Sequence, residues 1–282
     1  MELEKILPNN GPSIDEVKKY TTKYSNDIIV IKCGGSVLLE KNLFNQFIED
    51  ISVINKLGLS VVVVHGGGKN IQKKLEEHNL KSAFIDGLRV TDEKTIKIVE
   101  EALLELNFEI LSEISNHHAN SVSISPKKNN VIRLIPERKE LGFVGTPTEI
   151  KKDTILEIIN EKKIPLIVPM GIGEDNNIYN INADVAAGAI AKELKARRLL
   201  LMTDVEGVLD KSKNLISEIN SSMANEMLEN KTIAGGMIPK IKTCLDAVNN
   251  GVTGVVIVDG RKQHSILFEI FSDKGAGTLI RK

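Results

Sequence analysis

The stretch VVVVHGGGKN, residues 61–70, runs four β-branched residues into a histidine, three glycines and a lysine. Such a run reads as a buried strand halted by a tight turn. KNIQKKLEEHN (69–79) follows with helical spacing. Upstream the same order occurs. IIVIK (28–32) stops at Gly34 and Gly35, and Phe44, Phe47, Ile48, Ile51 and Ile54 then recur every three or four residues, as on one face of a helix. Strand, helix, strand, helix predicts a parallel sheet covered by helices on both faces.

Beyond this unit, Asp92 and Glu93 suit a helix N-terminus, and an apolar-periodic stretch runs on to about His117. SVSIS (121–125), NVIRLI (130–135) and LGFVG (141–145) are short and bounded by turns, which predicts a meander or hairpin on one sheet edge. DTILEIINEK reads as a helix capped by Asp153. IPLIVPM (164–170) and IYNIN (178–182) read as strands, ADVAAGAIAKELKA (183–196) as a helix and RLLLMTD (198–204) as a buried strand. GMIPKIKTCLDAVNNG (236–251) is a helix ending at Gly251, and TGVVIVDG, HSILFEIF and GTLI close the chain. With no linker-like tract, two lobes sharing one sheet fit better than two tethered domains.

The 282 residues suffice for such a core. Lys and Arg total 37 against 38 Asp and Glu, a net charge of -1 that gives no field for holding nucleic acid or an anionic membrane. Two cysteines, Cys33 and Cys244, point to a reducing compartment, and no Cys/His cluster has zinc spacing. Cys33 reads as a small apolar filler. The first residues lack signal- and transit-peptide character, and no apolar run approaches the ~18 residues of a membrane span. The expectation is a soluble protein of the cytoplasm, or of the plastid stroma if plastid-encoded, acting on a small molecule.

Three chemistries use glycines after a strand. The Walker pattern fails because Val63 stands five before Gly68 and Asn70 follows Lys69. A dinucleotide loop fails for want of a third glycine in register. The oxyanion hole of lipases needs a GxSxG elbow, absent from this chain. What the three share is exposed N–H groups at a helix start, where an anion can sit, although a lone GGG also serves as a plain turn.

The loop has company. IKCGGS (31–36) is a second strand-ending glycine pair with Lys32 beside it, and two such loops on neighbouring parallel strands face one crevice. Taken singly, Lys32 also reads as a snorkelling strand-end residue. GLRVT (87–91) adds Arg89, a planar cation suited to a carboxylate. NINAD (180–184) puts Asn180, Asn182 and Asp184 where a strand opens a helix. GGMIPK (235–240) puts Lys240 in a helix's first turns, where the dipole disfavours a cation unless an anion is near.

In order, KCGGS, VVHGGGKNI, GLRVT, LGFVG, YNINADVAAGAIA, LLLMTDVEGVL, GGMIPK and HSILFEIF…GAGTLI resemble the amino acid kinase family, and within it the acetylglutamate kinases, over about residues 28–282. The resemblance implies an open, mainly parallel α/β sheet with helices on both faces, a three-layer sandwich. Residues 1–27 would form a helical extension, 28–180 the lobe for acetylglutamate and dimerisation, and 181–282 the ATP lobe. The implied reaction is ATP-dependent phosphorylation of the γ-carboxylate of N-acetyl-L-glutamate in arginine biosynthesis. The alternatives are a non-catalytic amino-acid sensor on this fold or another carboxylate kinase of the family.

Carried over by motif, Lys32 and Lys240 would stabilise the transferring phosphoryl group, with Asp184 holding both. Gly34, Gly35, Gly67 and Gly68 would offer N–H groups to phosphate and acceptor, while Arg89 and Asn180 would bind the α-carboxylate and acetamido end. Thr203, Asp204 and Gly207 would border the nucleotide, with Mg²⁺ held through its phosphates and no protein metal site. His65 reads as a packed strand-end residue, not a base. The prefix resembles the extension of the arginine-inhibited, hexameric branch, in which hexamers are trimers of dimers. Its stripe of Ile14, Val17, Tyr20 and Tyr24 fits either a neighbour or its own domain. Lys195, His264, Glu269 and Gly277 would be the arginine contacts, and a PII signalling protein is a partner of some relatives.

Overall fold

The computed structural model describes residues 3–282. In chain order it forms α1 (Ile14–Tyr24), β1 (Ile28–Cys33), α2 (Lys41–Lys56), β2 (Ser60–His65), α3 (Gly68–Glu77), β3 (Phe84–Ile85), β4 (Leu88–Arg89) and α4 (Glu93–Asn116). Then come β5 (Ser121–Ile124), β6 (Ile132–Pro136), β7 (Gly145–Ile150), α5 (Lys152–Asn160), β8 (Ile164–Ile167), β9 (Met170–Ile172) and β10 (Ile178–Asn180). The last third holds α6 (Ala183–Glu193), β11 (Arg198–Thr203), β12 (Glu218–Asn220), α7 (Ser221–Glu229), α8 (Met237–Asn249), β13 (Val255–Asp259), α9 (Ser265–Phe271) and β14 (Gly277–Arg281).

Eight strands make one continuous sheet in the order β12-β14-β13-β11-β1-β2-β8-β5. Its named pairings are parallel except β13 with β14. Successive side chains on a strand face opposite ways, so the β-branched runs feed two cores at once. Val30, Val62, Val64, Leu199 and Leu201 join one cluster with Ile190 of α6 and Leu245 of α8. Ile29, Ile31, Val61, Val63 and Leu200 join the other, with Phe47 of α2, Ile110 of α4 and Ile270 of α9. The sheet therefore carries helices on both faces, as the alternation predicted. β1 lies between β2 and β11, so the chain turns one way from it in its first half and the other way in its second. A crevice opens at the carboxyl ends of the strands at such a reversal.

Three local readings are corrected. The stretches read as one meander divide: Ser121–Ile124 is the edge of the main sheet, paired parallel with β8. β6 and β7 form an antiparallel hairpin in a second sheet, ordered β10-β9-β6-β7. LGFVG does not hold a strand until its last residue, because Gly142 takes φ +67 and a Cβ there would stand 2.4 Å from the Thr91 carbonyl oxygen. Asp153 lies in the first turn of α5, whose cap residue is Lys151 with no side-chain cap bond. Asp92, by contrast, does cap α4, accepting from the N–H of Lys94 and Thr95.

The extension packs on its own chain. Val17, Tyr20 and Tyr24 of α1 are buried in the core shared with α9. The Tyr20 hydroxyl donates to Asp273 Oδ1 at 2.5 Å, and Lys19 pairs with the same carboxylate at 2.7 Å.

Candidate active site

The crevice beside β1 holds a cavity of about 220 Å³. Lys32, Gly34, Gly35, Gly67, Gly68, Arg89, Asn180 and Asp184 all line it. Each arrives on a strand end or a helix start. Lys32 is the penultimate residue of β1, and its ammonium lies so close over Gly34 that a Cβ there would stand 2.9 Å from Nζ. Gly67 precedes α3, and a Cβ on it would come within 2.5 Å of Leu103 Cδ2. A larger residue at either point would have to displace the Lys32 ammonium or the Leu103 side chain. Among the described residues, neither the Gly67 nor the Gly68 N–H has a hydrogen-bond acceptor.

Asp184 stands in the first turn of α6, where the helix dipole favours a carboxylate. Asn182 caps that helix, its Oδ1 accepting from the N–H of Asp184 at 2.9 Å and of Val185 at 3.3 Å. Two cations converge on Asp184. Lys32 Nζ lies 3.0 Å from Oδ1 and Lys240 Nζ lies 2.5 Å from Oδ2, with all three side chains 12–16% exposed. Burial alone would push the carboxyl pKa up, but the two ammoniums outweigh it and hold the group down at about 2. The anion required by a lysine near the start of α8 is therefore Asp184. α8 has no side-chain cap and no acidic residue in its first turn; the N–H groups of Met237 and Ile238 donate instead to Ala234 O at 3.3 Å and Gly235 O at 3.2 Å.

Arg89 is held from several sides. Its guanidinium donates to Gly68 O at 2.9 Å, to Gln72 Oε1 at 3.4 Å and to the Ser82 hydroxyl, and it lies 4.7 Å from the Phe84 ring centre. The β3–β4 hairpin carrying Phe84 and Arg89 forms one wall of the cavity. Its turn is Asp86-Gly87 with φ of +50 and +80. An Asp-Gly pair between short strands is a strong hairpin signal that could have been read from the sequence.

His65 is fully buried, and burial drives its pKa down to about 4. The ring is thus neutral and both nitrogens are engaged, Nδ1 with Gly66 O at 2.7 Å and Nε2 with Asn107 Nδ2 at 3.1 Å. Cys33 is also buried, which raises its thiol pKa and makes it packing material.

Thr203, Asp204 and Gly207 do not line the cavity. Thr203 ends β11 and Asp204 and Gly207 follow it at the same carboxyl end of the sheet, next to β13, where Gly260 N–H donates to Thr203 O at 2.9 Å. Gly207 takes φ +145 and packs against Thr278. The four residues read as effector contacts are spread out. His264 is buried in a 2.7 Å pair with Asp50, joining α9 to α2. Glu269 accepts from the N–H of Ala276 at 2.7 Å, and burial raises its pKa. Gly277 opens β14 and borders a cavity of about 730 Å³ that Glu16 of α1 also lines. Lys195 is exposed and borders a different cavity, with Lys192 and Asp246. Asn182 and Asn107 carry contacts that the motifs did not assign.

Residues 27–259 match the Amino acid kinase family. Among curated proteins, the chain is 57% identical over 281 residues to the acetylglutamate kinase of Pelagibacter ubique, covering 100% of this chain and 98% of that protein. It is 45% identical over 264 residues to the acetylglutamate kinase of Campylobacter fetus, covering 93% and 94%. Of solved structures, N-acetylglutamate synthase from Neisseria gonorrhoeae, in complex with coenzyme A and N-acetyl-glutamate, matches at TM-score 0.85 and 21% identity, over 95% of this chain and 62% of that one. Carbamate kinase from Giardia lamblia matches at TM-score 0.70 and 20% identity, over 92% and 99%. At those identities the two structures speak for the fold alone. No helix among the described residues is long and apolar enough to cross a membrane.

Proposed function

This chain belongs to the amino acid kinase family, and we propose that it transfers the γ-phosphoryl group of ATP to the γ-carboxylate of N-acetyl-L-glutamate. The product is N-acetyl-L-glutamyl 5-phosphate, a step of arginine biosynthesis. The observation that carries the reading is the convergence of Lys32 and Lys240 on Asp184 at the wall of the cavity.

The acceptor needs no base, because a free Glu-type carboxyl has a pKa of about 4.3 and is ionised at pH 7. Its oxygen bonds to the γ-phosphorus as the bond to the β–γ bridging oxygen breaks, and ADP leaves with that electron pair. What obstructs the step is charge, since two anions must meet in line. Two ammoniums against one carboxylate leave a surplus positive charge for the transferring group. Asp184 keeps both lysines aimed before substrate arrives, so little reorganisation accompanies the reaction.

Gly67 and Gly68 offer unpaired N–H groups at the start of α3, where the dipole also favours an anion. Gly34 and Gly35 let phosphate approach Lys32. Arg89 and Asn180 hold the α-carboxylate and the acetamido end, and Thr203, Asp204 and Gly207 border the nucleotide. Among the described residues, no three His, Cys, Asp or Glu side chains group as a metal cage. Mg²⁺ is expected to arrive with the nucleotide, where it would neutralise phosphate charge beside Lys32 and Lys240.

Feedback by arginine is part of the proposal. The cavity between α1 and the segment after α9 lies beside Glu269, whose carboxylate suits a guanidinium. Homo-oligomerisation belongs to it too, with Phe108, 71% exposed on α4, on the face offered to a second copy.

Trapping the acyl phosphate with hydroxylamine, with acetylglutamate, aspartate and glutamate as rival acceptors, tests class and substrate together. Hydroxamate from acetylglutamate is the expected result. Hydroxamate from another acceptor redirects the substrate, and none from any of them, with arginine still bound, supports the sensor. Lys32→Ala or Lys240→Ala should each lower kcat by roughly 10²–10³. Near-normal turnover in both would sink the reading.

A further inference from the structure

The buried polar pair behind the glycine loop, His65 and Asn107, takes no part in the steps above. Asn107 sits on α4, 2% exposed, and its Nδ2 faces both Leu166 O at 3.4 Å and His65 Nε2 at 3.1 Å. A carbonyl oxygen only accepts, so the atom facing Leu166 is the amide nitrogen. That nitrogen's other N–H then points at His65 Nε2, which must be the bare, accepting nitrogen. The ring's single proton is left on Nδ1, which donates to Gly66 O at 2.7 Å. The same answer comes from the other end, because Gly66 O also only accepts. A neutral imidazole carries one proton, and both contacts are satisfied by one tautomer. Burial is the dominant influence on this ring and keeps it neutral, and no charged side chain adds to it.

The consequence lies one peptide further on. There are no cis peptides among the described residues, so the Gly67 N–H points opposite to the Gly66 C=O. The carbonyl is held toward the buried imidazole. The N–H is thereby turned to the other side, where Gly67 lines the cavity and its N–H has no protein acceptor. We propose that Asn107 and His65 are positioning residues, which fix one imidazole tautomer so that the Gly66–Gly67 peptide presents its N–H to the reacting anions. The inference rests on the phosphoryl-transfer reading for what that N–H serves. Its chemistry is a pre-set hydrogen-bond donor, and no proton is transferred. A glycine peptide has no side chain to resist rotation, so without this hold the donor would swing freely.

The first test needs no activity. In the full chain labelled with [¹⁵N]histidine, long-range proton–nitrogen spectra distinguish Nδ1–H from Nε2–H, and the signal is assigned by its loss in His65→Asn. The expected result is a neutral Nδ1–H ring from about pH 6 to 9. An Nε2–H ring or an imidazolium in that range overturns the proposal.

The second test is kinetic. The amide nitrogen of Asn stands where Nδ1 does and that of Gln where Nε2 does. His65→Asn should therefore stay within a few-fold of the parent, while His65→Gln and Asn107→Leu should lose about ten-fold or more in kcat. That lies below the roughly 10²–10³ of deleting a preorganised donor outright. The KM for ATP should not move. Equal activity of His65→Asn and His65→Gln, with circular dichroism matching the parent, would refute the role, and if either variant fails to fold the spectra decide. Absence of hydroxamate in the parent protein would instead refute the function and leave the tautomer result standing.

Discussion

Replacing Asp184 by Asn tests the centre of the site, because the two residues share a shape and differ in charge. The parent carboxyl has its pKa held from an ordinary 3.8 down to about 2. At about 1.4 kcal/mol per pH unit, that makes the ionised form worth on the order of 2 kcal/mol to the fold. Removal leaves two little-exposed ammoniums facing each other, and breaking a buried pair by deleting one partner costs about 3–5 kcal/mol. The expected loss of stability at pH 7 thus lies between those figures. Because the folded pKa is depressed, the parent's advantage is full above about pH 4 and fades as pH falls through 2. Urea unfolding of parent and Asp184→Asn at several pH values between 7 and 2 would measure it. Turnover in the hydroxamate assay should fall by roughly 10²–10³ as the lysines lose their alignment. A stability gap that stays constant down to pH 2, or a kcat within three-fold of the parent, would refute the electrostatic account.

Three further outcomes are expected. Gly67→Ala places a Cβ 2.5 Å from Leu103 Cδ2, so it should cost about 1–3 kcal/mol of overpacking and raise the acceptor KM, and adding Leu103→Ala should recover part of both; no recovery in the double variant would show that the contact is not the cause. His264 is held above its ordinary pKa of 6.5 by its bond to Asp50, so its stabilisation is complete below about pH 6.5 and lost as pH rises through the folded value. Burial lifts the partner Asp50 to about 6, so both groups must go: in thermal melts from pH 6 to 9, the double variant Asp50→Asn/His264→Gln should abolish that decline, and an unchanged slope would contradict it. Millimolar arginine should inhibit the enzyme, and deleting residues 1–26 should weaken that inhibition, since it strips Val17, Tyr20 and Tyr24 from α9; sedimentation should show smaller assemblies, and an unaltered inhibition curve would remove α1 from the effector site.

Much of the central sheet was legible because its strands are buried on both faces. β1, β2, β11 and β13 show as unbroken β-branched or leucine runs, which need no knowledge of their neighbours. The site was legible where a residue was locally uncomfortable, and Lys240 at a helix start called for an anion that proved to be Asp184. What stayed hidden depends on distant partners. Asn107 is one polar residue in the long amphipathic α4, and nothing nearby in sequence reveals that it meets His65, 42 positions away. The destination of α1 was equally hidden, because an apolar stripe states that it will be covered and not by what. The second sheet was misread because Gly142 interrupts an apolar run with a left-handed residue that composition alone does not announce.

The placement of β14 bears on how the molecule is made. Residues 277–281 lie far along the chain from β12, yet they insert between β12 and β13 and do not lie at an edge. Domains tend to form from the N-terminus during synthesis, and β1, β2, β5 and β8 can pair as soon as residue 167 is out. β12 is made about sixty residues before the strand it needs, as counted from Glu218 to Gly277, and has no sheet partner until that strand is made. Completion of the sheet beyond β13 therefore waits on β14, and a nascent chain stalled before that strand would hold β1, β2, β5 and β8 assembled beside an unfinished far edge.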